Sequence, residues 1–201
     1  MEQRAMIVLG ISGRLKSGKD TASDFIKEAL LEWKVRGSFV RLGFADAVYR
    51  ELGIALCAMN MEFASESQIQ YYISYVKQNK DNFRNLLQGI GTDYRRELCG
   101  RGYWVNQVLK KLTTFNNDAF VCIPDIRFLN ELQPLTSVDI PVWRIVRPSL
   151  GHLPEDAHPS ETELKDTDYW ETIIVNEDIN TYRIEVRNHL SLLLRKKYLI
   201  K

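Results

Sequence analysis

Apolar and polar positions switch between two periods along this chain, and the switches mark out its elements. Ala5-Met6-Ile7-Val8-Leu9-Gly10-Ile11 is an unbroken apolar run, the length of a fully buried strand rather than of a helix. After a polar, glycine-bearing stretch, Ala22, Phe25, Ile26, Ala29, Leu30 and Trp33 recur at helical spacing and predict one amphipathic helix. Lys34 to Gly37 closes that helix with basic residues and a glycine, and Ser38 to Phe44 predicts a second strand. Such a strand-helix-strand unit demands parallel strands joined by a crossover. Further helices are predicted over 45–52, 66–79, 83–98, 103–115 and 178–196, and strands over 119–123, 140–147 and 169–175. No repeat, linker or low-complexity tract interrupts the 201 residues, so the pattern predicts one α/β domain whose parallel sheet is flanked by helices.

The polar stretch between the first strand and the first helix carries the clearest chemistry. Ser12 to Thr21 fits G-x-x-x-x-G-K through Gly13, Gly18 and Lys19, with Lys16 and Ser17 inside the loop. Glycines let the backbone curl so that successive N–H groups point inward, and the following helix adds the positive end of its dipole. Lys19 supplies a mobile charge for the β- and γ-phosphates of a nucleotide. The plain alternative is a glycine turn with a solvated lysine, and the flanking strand and helix favour the phosphate reading. The position after the lysine usually holds Ser or Thr for Mg²⁺, but here it is Asp20, followed by Thr21. Asp20 is a candidate hard-oxygen ligand for the metal, and equally an acidic first-turn residue of the helix.

Composition narrows the classes. With 27 basic and 26 acidic residues the formal net charge is +1, so nucleic acid is not an expected partner. Cys57, Cys99 and Cys122 are too few and scattered for a disulfide framework or zinc site and read as small buried residues. No apolar run reaches the roughly 20 residues that span a bilayer, and the first residues lack a signal-peptide pattern. The expectation is a soluble cytoplasmic protein without a membrane partner.

Several later residues are candidates for the same chemistry. Asp46 and Arg50 follow the second strand and so belong near the ligand-binding edge of an open α/β sheet. Residues 60 to 80 read as a partly exposed helical excursion whose Tyr71, Tyr72 and Tyr75 either stack on a base or pack. Gly89 and Gly91 interrupt the next helix at about 1 kcal/mol each. They mark either a close approach to ligand, with Gln88 and Thr92 as donors, or a helix break. Arg84, Arg95 and Arg96 stand nearby for phosphate. The strand at 119–123 ends in Pro124-Asp125-Ile126-Arg127, where Asp125 is a candidate Mg²⁺ ligand and Arg127 either faces the same cleft or pairs with Glu131. Arg147 ends the next strand, and the aperiodic stretch 148–168 is a lid candidate. The tyrosine-rich excursion and an unplaced apolar helix face would suit a homodimer. Lys19, Arg127 and Arg147 together are the cations expected at a transferring phosphoryl group.

These residues resemble the deoxynucleoside monophosphate kinases of the bacteriophage type. The resemblance runs through Ser17-Gly18-Lys19-Asp20-Thr21, Leu87-Gln88 with Gly91-Thr92-Asp93, Asp125-Ile126-Arg127-Phe128 with Asn130-Glu131, and His158-Pro159-Ser160-Glu161. It implies a P-loop kinase fold with a lid, ATP and Mg²⁺ as cofactors, and a deoxynucleoside 5′-monophosphate as substrate. It also implies host cytoplasm for a phage-encoded chain, and Asp46, Arg50, Gln88, Thr92, Arg96 and Glu161 on the acceptor side of a helical segment from about 60 to 100. Where that family has Ala-Asp-Pro-Leu-Lys, this chain reads Ala45-Asp46-Ala47-Val48-Tyr49, so the lysine is missing and Arg50 is its candidate replacement. The Ser-Gly-Lys-Asp loop, Asp-x-Arg and Ser-Glu pair also resemble animal-type phosphomevalonate kinase, which leaves a second acceptor class open. A nucleotide-binding switch is the reading from a different class.

Overall fold

The computed structural model describes residues 6–60 and 65–199, the side chains at 92, 93, 96, 198 and 199 excepted. Ala5 and part of the excursion at 60–80, namely 61–64, lie outside the described residues. Five strands, β1 (Ile7–Gly13), β2 (Phe39–Arg41), β3 (Phe120–Ile126), β4 (Val142–Val146) and β5 (Thr172–Val175), form one wholly parallel sheet in the order β2-β3-β1-β4-β5. The expected α/β class, with a parallel sheet flanked by helices, is what the chain adopts. Its described residues fall into two compact units, one carrying the sheet and interrupted at Leu42, the other spanning Gly43–Thr113.

In the sheet unit, β1 is the central strand and every one of its residues is buried, which is why its sequence is apolar from Ile7 through Ile11. Ile7, Leu9 and Ile11 pack with Phe25, Ile26, Ala29 and Leu30 of helix α1 (Lys19–Glu32) and with Tyr182, Val186 and Leu190 of helix α9 (Ile179–Leu199). Each fully buried side chain of this kind stabilises the fold by roughly 1.5–3 kcal/mol. Trp33, predicted to continue the apolar stripe, instead caps α1 at 37% exposure beneath the Arg187 guanidinium. Arg41 ties β2 to α1 through Ser23 Oγ at 2.9 Å and Asp24 at 2.7 Å.

The structure extends β3 three residues beyond the predicted end at Ile123. Pro124 has no N–H to donate to a ladder, and the β1–β3 register shift between Gly10 and Ser12 is an irregularity of the kind that accommodates a proline. The helix α7 (Leu129–Thr136) has no counterpart among the predicted elements. It is only eight residues long and contains Pro134, so periodicity could not reveal it. Its start is set instead by Glu131, whose carboxylate accepts from the N–H groups of Arg127 and Phe128. Strand β5, at the edge of the sheet, starts at Thr172 rather than at Tyr169.

The second unit is helical: α2 (Phe44–Met59), α3 (Glu66–Gln78), α4 (Arg84–Gln88), α5 (Arg95–Cys99) and α6 (Tyr103–Leu112). Helix α3 is capped by Ser65, whose hydroxyl accepts from Gln68 N. Tyr49, Leu52 and Val76 form its core with Ile73, Phe83, Leu87 and Ile90 around them. At the two glycines expected to interrupt the helix over 83–98, a π-helical segment, Gly89–Tyr94, joins α4 directly to α5. Trp104 donates its indole N–H to the Gly91 carbonyl at 2.6 Å. Cys57 and Cys122 are buried, as expected, and burial pushes the Cys122 thiol up to about 12, whereas Cys99 is exposed. Among the described residues no helix is long and apolar enough to cross a membrane.

Gly10 sits where a Cβ would lie 2.5 Å from Ile126 Cδ1 and 3.0 Å from a Val142 methyl. Gly10→Ala is therefore expected to lower stability by about 1–3 kcal/mol in denaturant unfolding, the usual effect of overpacking.

Candidate active site

The loop Arg14–Gly18 joins β1 to α1 and curls more tightly than side chains allow. At Gly13 a Cβ would stand 2.5 Å from Ser17 Oγ and 2.7 Å from the Ile145 carbonyl oxygen. At Gly18 the backbone has φ +105, and a Cβ would meet Asn176 Nδ2 at 2.5 Å. Lys16 also lies at φ +62, a conformation that costs a non-glycine residue energy. Two residues from the far end of the chain hold this curl: Asn176 donates to the Ser17 carbonyl at 2.8 Å, and the Tyr182 hydroxyl donates to the Gly18 carbonyl at 2.9 Å. Burial raises the Tyr182 pKa, so this donor stays protonated at neutral pH. Neither residue is among the candidates the sequence offered.

Lys19 opens α1 with its side chain buried, and its ammonium donates to the carbonyls of Gly13 and Arg14, both at 2.8 Å. An ammonium has three N–H donors, so one remains for a ligand. Burial lowers the Lys19 pKa to about 8, and Arg127 pushes it the same way, while Glu161, Asp20 and Asp125 oppose them. The predicted carboxylates are thus among the charges that Lys19 feels, Asp20 exposed on the first turn of α1 and Asp125 near the end of β3. Ser17 Oγ is buried and has no hydrogen-bond partner among the described residues. A buried hydroxyl in need of a partner and a lysine with one donor to spare fit a phosphate. Among the described residues no three His, Cys, Asp or Glu side chains cluster for a metal. Asp20 and Asp125 are hard-oxygen donors, the ligand type Mg²⁺ takes.

The cations come from neighbouring strands. Arg127, just past β3, pairs with Glu161 at 2.8 Å, and its backbone N–H donates to the Glu131 carboxylate. Glu161 lies on helix α8 (Pro159–Thr162) and also accepts from the Leu15 N–H at 2.6 Å. Arg147, just past β4, bonds Ser149 Oγ at 3.2 Å and the Lys16 carbonyl at 3.4 Å. The loop, Asp20, Asp125, Arg127, Arg147 and Glu161 thus lie together at the C-terminal ends of β1, β3 and β4. Two arginines that the sequence did not single out join them. Arg14 donates to the Gly151 carbonyl at 2.6 Å, and Arg144 donates to Ser12 Oγ at 2.9 Å. Their signal in the sequence was only position, one inside the loop and one within β4.

The remaining predicted residues belong to the helical unit. Asp46 accepts from the Gly43 N–H at 2.8 Å and pairs with Lys77 at 3.1 Å. Arg50 grips Glu66 through two bonds of 2.8 Å, which hold the Glu66 carboxyl down to about 2. Gln88 ends α4, exposed. The side chains of Thr92 and Arg96 lie outside the described residues. Glu51 accepts from Arg95 at 2.6 Å and from the Tyr103 hydroxyl at 2.7 Å, so Arg95 is engaged in a structural cluster.

A parallel sheet whose central strand feeds a glycine loop into a helix, with cations at the strand tips, is the architecture of a P-loop kinase. Residues 44–183 match the deoxynucleotide monophosphate kinase family, and the chain belongs to that family. The matched span begins beyond the glycine loop and contains the Asp125-Ile126-Arg127 and Ser160-Glu161 motifs. A protein of Acanthamoeba polyphaga mimivirus, named "Putative deoxynucleotide monophosphate kinase", is 26% identical over 191 residues, covering 85% of this chain and 89% of its own.

The lowered pKa of Lys19 sets a pH dependence. Only the protonated amine attracts phosphate, and with a pKa of about 8 its charged fraction falls as pH rises through that value. Affinity for a triphosphate nucleotide, measured by calorimetry, is expected to fall about tenfold between pH 7 and pH 9. A flat profile would separate Lys19 from phosphate binding.

Proposed function

We propose that this chain transfers the γ-phosphoryl group of ATP, with Mg²⁺, to a deoxynucleoside 5′-monophosphate, yielding the diphosphate and ADP. The observation that carries the reading is the buried Lys19 ammonium, bonded to two carbonyls of its own glycine loop and holding one donor in reserve. Family membership supports the acceptor class.

In this reading the loop residues Gly13, Lys16, Ser17, Gly18, Asp20 and Thr21 cradle the donor phosphates with Lys19. Asp20 and Asp125 would hold Mg²⁺, which when bound would offset charge on the phosphate oxygens. Arg127 and Arg147 balance the charge that gathers on the transferring group. Asp46, Arg50, Gln88, Thr92, Arg96 and Glu161 serve the acceptor. An acceptor phosphate oxygen forms the new P–O bond as the bond between the β,γ-bridging oxygen and the γ-phosphorus breaks. That oxygen is already anionic, so the protein needs to align and compensate rather than to remove a proton. Residues 1–201 act as one kinase domain, with 148–168 as its lid and about 60–100 on the acceptor side. The reaction belongs to the cytoplasm, that of the host for a phage-encoded chain.

Lys19→Ala is expected to lower transfer by 10³-fold or more, by analogy with the loss of other charge-compensating cations, while the unfolding transition persists. ADP release over a panel of deoxynucleoside monophosphates and phosphomevalonate should rise with a deoxynucleotide. Release indifferent to every monophosphate would favour the switch reading, and release driven by phosphomevalonate would move the acceptor class.

A further inference from the structure

At the C-terminal ends of β1, β3 and β4 a small cleft is lined by Arg14, Arg127, Arg144 and Glu161, so three guanidinium groups meet one carboxylate. Both oxygens of that carboxylate are engaged, one by the Leu15 N–H at 2.6 Å and the other by Arg127 Nη1 at 2.8 Å. The Leu15 amide belongs to the glycine loop, so a side chain from α8 occupies a backbone donor of the phosphate cradle. The cations around it are under-served. Arg14 Nε is buried without a partner among the described residues. Arg144 is more than half buried, and burial and Arg14 both lower its pKa while Glu161 alone works the other way.

We propose that Arg14, Arg127 and Arg144, with the Leu15 amide, form a phosphate seat that the Glu161 carboxylate fills in the ligand-free chain and yields to an arriving phosphate. The inference rests on the phosphate chemistry proposed for this cleft, but not on the acceptor's identity. A carboxylate brings one charge and two acceptor oxygens, whereas a phosphate monoester brings nearly two charges and three. The exchange therefore matches an excess of positive charge that Glu161 leaves unmet. It does not require α8 to leave. Leu164 is buried beside it, and Glu163 accepts from the Leu129 N–H at 2.7 Å, so the carboxylate can turn out while the segment stays anchored. Until phosphate enters, Glu161 offsets the repulsion among the arginines.

The test compares the full chain with Glu161→Gln, which keeps the volume and removes the charge. Calorimetric titration with inorganic phosphate should show the variant binding about tenfold more tightly, since no ion pair has to be given up. Combining it with Arg144→Met should abolish that gain, which a diffuse electrostatic effect on Lys19 would survive. Crystals of the wild-type chain soaked in tungstate, a tetrahedral dianion, should show it bonded to Leu15 N and Arg127 with the Glu161 side chain displaced. If Glu161→Gln does not fold, Glu161→Asp, too short to bridge both donors, takes its place. Titration with ATP and with a deoxynucleoside monophosphate then separates the two sources: a gain for one identifies whose phosphate takes the seat. Equal or weaker phosphate binding in the variant, or tungstate found only at Lys19 with Glu161 still bonded, overturns the proposal. A gain without any monophosphate-dependent turnover upholds the seat and defeats the acceptor assignment.

Discussion

A positive charge buried at the end of the central strand is the constraint on which the rest of the sheet unit depends. The Lys19 ammonium is shielded from water, and its charge is tolerated because two loop carbonyls accept from it and three carboxylates stand close enough to favour it. For those carbonyls to turn inward, the backbone must pass through conformations and clearances that only Gly13 and Gly18 permit. That curl is then pinned from outside by Asn176 and Tyr182, which follow β5 in the chain. The loop and the closing helix are thus one mechanical object, although about 160 residues separate them.

The strand order explains why the chemistry collects there. With β1 between β3 and β4, the ends of three neighbouring strands deliver Lys19, Asp125, Arg127, Arg144 and Arg147 to one edge. Open parallel sheets bind ligands at that edge because helix N-termini and loop amides converge on it. The arginines repel one another, and Glu161 is the negative charge within the cleft that makes their crowding tolerable. Exposed pairs elsewhere, such as Arg183 with Glu28 and Arg187 with Glu32 on α1 and α9, contribute far less because water screens them.

Where prediction and structure part, the cause is local. The apolar run ends at Ile123, yet β3 continues through Pro124 to Ile126, beside a register irregularity in the β1–β3 ladder. Helix α7 left no periodic trace, because eight residues with an internal proline are too few to show one. The glycines at 89 and 91 marked an irregularity in the helix, and its form is a π-helical segment through which the helical backbone continues. Cys99 and Trp33 are more exposed than their residue types suggested, the latter covered on one side by an arginine from α9.

The sequence by itself determined the parallel α/β class, the glycine loop with its lysine, and the acidic and basic residues at the strand ends. Those features are local, since a run of apolar residues, a pair of glycines or a charge after a strand speaks through its immediate neighbours. What only the tertiary structure decided was partnership: that Asn176 and Tyr182 brace the loop, that Arg14 and Arg144 join Arg127, and that Glu161 sits among them. Each of those contacts joins residues from distant parts of the chain, and no periodicity encodes which charge meets which. They follow from the order in which the strands pack.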